Sequence, residues 1–216
     1  MRISKLAPSQ RVAGRWLCHL EDGTILRITE NEIVSFGLCS GLELTQEQRA
    51  AVERAAKVAA VRDKAMDLLS ARPLSRKELV DKLTARPRSK DKEPLTDRET
   101  AEAAADRLEE LGYLNDESYA RTVADHYAAK GWGPSRIREE LYRRGVPREY
   151  WDGALEELDA PDDAIDAFLQ KKLRGADLTD PKTYQRAANA LARRGFRWED
   201  IKDGLRRYGG AMEEEF

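Results

Sequence analysis

Apolar positions along this chain change their period once, near residue 45, and the change separates two kinds of structure. Before it, residues 12–20 and 24–28 are dense in β-branched, aromatic and aliphatic side chains. Asp22-Gly23 lies between them, a pair that suits a type I′ turn, so a β-hairpin is predicted. An isolated two-stranded hairpin is marginal in water, and residues 3–6 offer a third strand. Residues 31–36 read as a short helix stopped by Gly37, and Gly41 marks a turn.

From Thr45 onward the period is helical. Thr45 is placed to cap a long helix on which Val52, Ala55, Ala56 and Ala59 recur at the i, i+3, i+4, i+7 spacing, with Ala65, Leu68 and Leu69 continuing the buried face. Ser75 and Glu78 form a capping box, with Leu74 and Leu79 as its apolar staple, so a second helix starts there. Residues 86–94 carry no apolar side chain but two prolines and predict a charged, mobile loop. Beyond it Thr96 and Glu99 suggest another capping box, on a helix that turns Ala104, Leu108 and Leu111 inward and ends at Gly112. Asn115 is the next cap, with Leu114 and Tyr119 as its staple.

A degenerate repeat organises this helical part. Ile137, Leu141, Arg143, Arg144, Gly145 and Val146 match Ala187, Leu191, Arg193, Arg194, Gly195 and Phe196 in kind at an offset of 50. At the same offset Trp151, Leu155 and Leu158 answer to Ile201, Leu205 and Tyr208. A looser first copy sets Leu79, Leu83 and Arg86 against Ile137, Leu141 and Arg144 at an offset of 58. In the second and third copies Gly133-Pro134 and Asp180-Pro181 put proline at the first helical position. The fold expected is mainly α: a tandem array of three three-helix, helix-turn-helix-like repeats, elongated and curved, preceded by a small β-hairpin-containing segment. Its divisions are a hairpin and short helix over 1–44, a connecting helix over 45–60, repeats over 61–114, 115–160 and 161–210, and an acidic tail over 211–216.

Charge and composition narrow what such an array can do. The 38 basic and 40 acidic residues cancel to −2, which argues against a surface given over wholly to nucleic acid but leaves room for a local basic face. No run approaches the roughly 20 apolar residues of a membrane span, and residues 1–10 show no secretory leader, so a cytoplasmic protein is expected. Cys18 and Cys39 read as reduced, structural thiols. The histidines, His19 and His126, and these cysteines lack metal-ligand spacing. Phosphate-binding loops, dinucleotide fingerprints and nucleophile elbows are missing from the sequence, so neither catalytic residues nor a metal or cofactor are assigned.

Basic residues recur at one point of each copy: Arg136, Arg138, Arg143 and Arg144 in the second, Arg193, Arg194 and Arg197 in the third, and Arg86, Arg88, Lys90 and Lys92 in the loop of the first. Such a set suits phosphate or an acidic protein groove, while each arginine singly also fits a helix C-terminus, where a cation opposes the dipole. Trp132, flanked by Gly131 and Gly133, is either an interface anchor or a lid on its own repeat's core.

Leu111, Gly112, Tyr113, Leu114, Asn115 and Asp116 with Tyr119-Ala120, then Gly133-Pro134-Ser135-Arg136-Ile137, and Glu140-Leu141 with Arg144-Gly145-Val146 form a connected set of motifs. At these residues the chain resembles a known family, the RecX regulators of bacterial RecA recombinase. The resemblance runs from about residue 61 to 208, and departs from the family pattern at Pro87 and the charged insertion. It implies a non-catalytic, cytoplasmic, monomeric protein that binds the RecA filament on single-stranded DNA, with a weak DNA contact of its own, and limits filament growth, ATP hydrolysis and strand exchange. On this reading Arg136, Arg143 and Arg144 form the exposed partner-binding set, extended by Arg193 and Arg194 and by Trp132, while Gly112, Tyr113, Leu114, Asn115, Asp116, Tyr119, Gly133, Pro134, Ile137, Leu141 and Gly145 hold the fold. A tandem helix-turn-helix nucleic-acid binder and a helical scaffold for another protein are the competing readings.

Overall fold

A computed structural model describes residues 1–86, 93–174 and 178–214. Three antiparallel strands, β1 (Ile3–Pro8), β2 (Arg15–Leu20) and β3 (Ile25–Thr29), pair in the order β1-β2-β3. The second strand starts at Arg15 rather than at Val12, because Gly14 takes a positive φ of 74° and breaks the run, leaving Val12 exposed. The hairpin connection also departs from type I′. Leu20 N–H donates to the Thr24 carbonyl and Gly23 N–H to the Leu20 carbonyl, with only Gly23 at positive φ (84°). The Asp22 carboxylate accepts the Thr24 amide at 2.9 Å, and the result is a three-residue loop closed by Gly23.

Helix α1 (Glu30–Phe36) begins one residue before the expected start, since Thr29 and Glu32 form a capping box, and it ends at Gly37 in the left-handed conformation. Helix α2 (Gln46–Ala71) is capped by Thr45 as predicted, with Gln48 completing the box. It continues without a break through the residue-60 boundary: Val52 and Ala56 close the core beneath the sheet with Ile3, Cys18, Leu20 and Ile28, and Val61 and Ala65 enter the next core. Cys18 is buried and burial pushes its thiol pKa up, whereas Cys39 is exposed and has no core role, contrary to the structural reading of both.

Helices α3 (Arg76–Thr84) and α4 (Arg98–Glu110) complete the first repeat. Its core joins Val61, Ala65, Leu79, Leu83, Ala105 and Leu108. The Ser75–Glu78 capping box is present in both directions. The cap of α4 is Asp97 instead of Thr96: its carboxylate accepts Thr100 N–H at 2.8 Å, and an ionised acceptor facing the helix N-terminus outcompetes a hydroxyl one residue earlier. Ala101, Ala105 and Leu108 face inward with Ala104 packed against them, whereas Leu111, expected inside, stands just past the last residue of the helix and is 51% exposed. Most of the predicted 86–94 loop, with Arg88, Lys90 and Lys92, falls outside the described residues.

The chain divides into two compact units: residues 1–74 with 79–114, and residues 75–78 with 115–216. In the second unit α5 (Asp116–Ala128), α6 (Pro134–Arg143) and α7 (Trp151–Glu156, entered through a 3-10 turn at Arg148–Tyr150) form one repeat. Helices α8 (Asp162–Leu173), α9 (Pro181–Arg193) and α10 (Trp198–Glu214) form the next. Proline opens α6 and α9 as expected, and α10 runs into the stretch read as a tail. The offset-50 pairs share their burial: Ile137, Leu141 and Val146 in one core, Ala187, Leu191 and Phe196 in the other. Among the described residues no helix is long and apolar enough to cross a membrane.

Candidate functional site

One local device, which also closes α1 at Gly37, ends four helices of the repeats. Gly112, Gly131, Gly145 and Gly195 each take φ between 69° and 89°, and the amide of the following residue, Tyr113, Trp132, Val146 or Phe196, reaches back to the carbonyl five positions earlier. This closure satisfies orphan carbonyls and turns an apolar side chain toward the helix just ended. For Val146 and Phe196 that side chain is buried, whereas Tyr113 is 58% exposed.

Two of these ends are seats for helix beginnings. Gly133 N–H donates to the Arg194 carbonyl at 2.8 Å and Ser135 N–H to the Gly195 carbonyl at 3.0 Å, so the start of α6 binds the end of α9 through backbone. No side chain fits between them: a Cβ on Gly133 would lie 2.4 Å from Phe196 N, and one on Gly195 would lie 2.4 Å from Arg136 N. Within the same unit the end of α6 meets residues 75–78 in like manner. The Ser75 hydroxyl donates to the Arg144 carbonyl, and Gly145 faces the Lys77 side chain.

Beneath this contact lies a polar chain. Glu140 is 5% exposed and accepts from Tyr127 Oη at 2.9 Å, from Arg144 Nε at 2.8 Å, and from Arg143. Arg144 also donates to Tyr119 Oη at 2.7 Å, and that hydroxyl donates to Glu78 at 2.9 Å. Burial works to raise the Glu140 pKa, but the bonds from Arg143, Tyr127 and Arg144 outweigh it and hold the carboxyl below its ordinary value. Tyr119 is shifted up, first by burial. Arg144 resists deprotonation: burial pulls its pKa down, and the bonds to Tyr127, Tyr119 and Glu140 more than offset that. Asp116 is buried too and accepts Arg76 N–H at 2.7 Å, while Asn115 caps α5 through Ser118 N–H at 2.8 Å.

The arginines proposed for partner binding therefore divide. Arg144, expected to be exposed, keeps only 25% of its side chain accessible and holds Glu140 and Tyr119. Arg194 donates to the Gly131 carbonyl at 3.0 Å and lies 4.6 Å from the Phe168 ring centroid, also as an internal strut. Arg136 and Arg143 are open to solvent, paired with Glu139 and Glu140 on their own helix, and Arg193 is exposed. Trp132 stacks tilted on Tyr127 at 4.6 Å, with the Arg136 guanidinium 5.2 Å from its own ring, so it lids the core of its repeat while an edge stays accessible.

Arg136 and Arg143 are seven residues apart and share a helical stripe. Adding 50 to each number gives Arg186 and Arg193, both exposed on α9. Arg186 lies outside the candidates read from the sequence, although extending the repeat alignment one turn backward finds it. Among the described residues no three His, Cys, Asp or Glu side chains are grouped as a metal would require.

Helical ends seated on helical beginnings, repeated along one unit, define a tandem three-helix repeat protein. Comparison with known proteins makes this specific. Residues 115–155 match the second three-helix domain of RecX and residues 161–205 the third. The chain is 37% identical over 143 residues to the regulatory protein RecX of Pseudomonas entomophila, covering 66% of this chain and 87% of that one. It is 36% identical over 152 residues to that of Pseudomonas syringae pv. tomato, covering 70% and 93%. A crystal structure of regulatory protein RecX superposes with a TM-score of 0.69 at 24% identity, over 94% of this chain and 98% of that one. RecX from Lactobacillus salivarius gives 0.60 at 20% identity, over 73% and 99%. The chain belongs to the RecX family of regulatory proteins.

Proposed function

We propose that this chain is a cytoplasmic, monomeric, non-catalytic regulator that docks on the RecA filament formed on single-stranded DNA. It restrains filament extension, ATP hydrolysis and strand exchange, in DNA repair and the SOS response. The observation that carries the reading is the family relationship, which spans nearly the whole length of the RecX relatives. The paired stripes support it: Arg136 and Arg143 on α6, Arg186 and Arg193 on α9. Two like stripes on consecutive repeats suit a partner that is itself a repeating polymer, because each engaged repeat raises the effective concentration of the next.

Arg144, Arg194 and Trp132 then serve this surface from beneath. Arg144 and Arg194 fix the helix ends that carry Arg143 and Arg193, and Trp132 backs Arg136. The deciding experiment titrates the protein into RecA's DNA-dependent ATP hydrolysis, at fixed single-stranded DNA, from far below one copy per RecA. Inhibition at substoichiometric ratios is expected. Unchanged hydrolysis at equal amounts of folded protein overturns the reading.

A direct nucleic-acid contact is the second reading, favoured by a shallow groove lined by Lys77, Tyr142, Arg143, Arg148 and Trp151, in which Tyr142 is 69% exposed. Cations beside open aromatic faces suit single strands. This contact alone would give binding without RecA that falls linearly on a log–log salt plot.

A further inference from the structure

The surface between the second and third repeats is opposite in character to the arginine stripes. A cleft of about 710 Å³ opens there, bounded by α5, α6, α7 and the first turns of α8 and α10. Its apolar side is formed by Trp132, Pro134, Leu155, Leu158 and Ala164, each part-exposed. Seven carboxylates line it against two guanidinium groups, Arg138 and Arg197; Arg138 is bound to Asp152 at 3.0 Å and Glu157 to Arg121 at 3.1 Å, which leaves five carboxylates to one guanidinium. In a chain whose net charge is −2, this is a strong local excess of negative charge.

Helix stability explains only part of that excess. Asp152, Asp163 and Asp200 sit in the first turns of α7, α8 and α10, where an anion complements the macrodipole. Asp125 lies in the last turn of α5 and Glu156 is the final residue of α7, where a carboxylate opposes the dipole, and Asp159 lies in the link between repeats. All three are exposed and line the cleft. Exposed carboxylates gathered on one concave surface give it a field complementary to positive charge.

We propose that this cleft is the docking site for a basic peptide segment of a partner protein that carries an apolar anchoring side chain. One small cation would meet one or two of these groups. Carboxylates spread over several elements around an apolar wall instead fit a chain that alternates cations with an aliphatic or aromatic side chain. The inference goes beyond the RecA reading and does not depend on it.

The test is fluorescence anisotropy on the full chain without RecA, using a labelled dodecamer of Lys, Leu and Ala as probe. Two control peptides replace every Leu by Ser or every Lys by Glu. The Lys/Leu peptide is expected to bind at least fivefold tighter than either control. Asp163→Lys combined with Asp200→Lys, and separately Ala129→Trp, which fills the cleft from an exposed position, should each weaken it at least fivefold, with unfolding midpoints showing that both variants remain folded. A difference under fivefold among the peptides overturns the proposal. Binding that survives both the charge reversal and the filled cleft overturns it equally. Should the doubly reversed chain not fold, Glu156→Gln with Asp159→Asn, both exposed, reads the same dependence by the same criterion.

Discussion

The phenolic oxygen of Tyr119 stands between Arg144, which donates to it at 2.7 Å, and Glu78, to which it donates at 2.9 Å. Glu78 in turn accepts the Ser75 amide, so one hydroxyl ties a helix cap to the guanidinium that braces the end of α6. Replacing Tyr119 by Phe keeps the ring and removes the link, leaving a part-buried carboxylate and guanidinium without their shared partner. The expected loss is about 1–3 kcal/mol, read from urea unfolding.

Glu140 sets an acid limit on stability. Its carboxyl is held below the ordinary value near 4.3, so the unfolded chain takes up its proton at a higher pH than the folded one. The stabilisation is complete above the unfolded value and disappears as pH falls through the folded one. Glu140→Gln should lower stability at pH 7 by about 3 kcal/mol and flatten its fall below pH 5. Equal slopes in the two proteins, by chemical unfolding across pH 3 to 7, would refute this.

The glycines give predictions of opposite sign. Gly195→Ala would place a methyl 2.4 Å from Arg136 N at a φ of 89°, and should open the contact between α9 and α6. Hydrogen exchange of the Gly133 and Ser135 amides, which are bound to the Arg194 and Gly195 carbonyls, should rise by tenfold or more. Gly153, within α7, has open space for 4 Å around the point where a methyl would stand, and its φ is not positive. Gly153→Ala should therefore stabilise by about 0.5–1 kcal/mol.

For the arginine stripes, Arg136→Glu with Arg193→Glu should weaken RecA inhibition at least tenfold with little change in the unfolding midpoint, because both side chains are exposed and neither holds Glu140. Arg144→Glu should instead lower the midpoint itself, since it sets a second carboxylate against Glu140. If the double variant inhibits like the parent, the stripes are not the contact surface.

What the sequence showed and what it hid follow from range. Caps at Thr45, Ser75 and Asn115, the prolines that open α6 and α9, and the glycine stops are decided within a few residues and are legible. The offset-50 repeat carried its burial pattern faithfully, because Ile137 and Ala187 face equivalent cores. The pattern points to Thr96 where Asp97 is the cap, and it places Leu111 inside although that residue stands past the end of α4 and is exposed. Arg143 and Arg144 are adjacent and chemically alike. Only the tertiary positions of Tyr119, Tyr127 and Glu140 make one internal and leave the other open.

Helix α2 has its first half under the sheet and its second half in the first repeat. A domain attached through a flexible tether can be deleted, tumble or unfold alone. One attached through a shared helical rod cannot, because removing the strands would strip cover from Val52 and Ala56 on a helix that the repeat still requires. The N-terminal sheet is thus an integral buttress of the first repeat, and the two should melt as a single cooperative body.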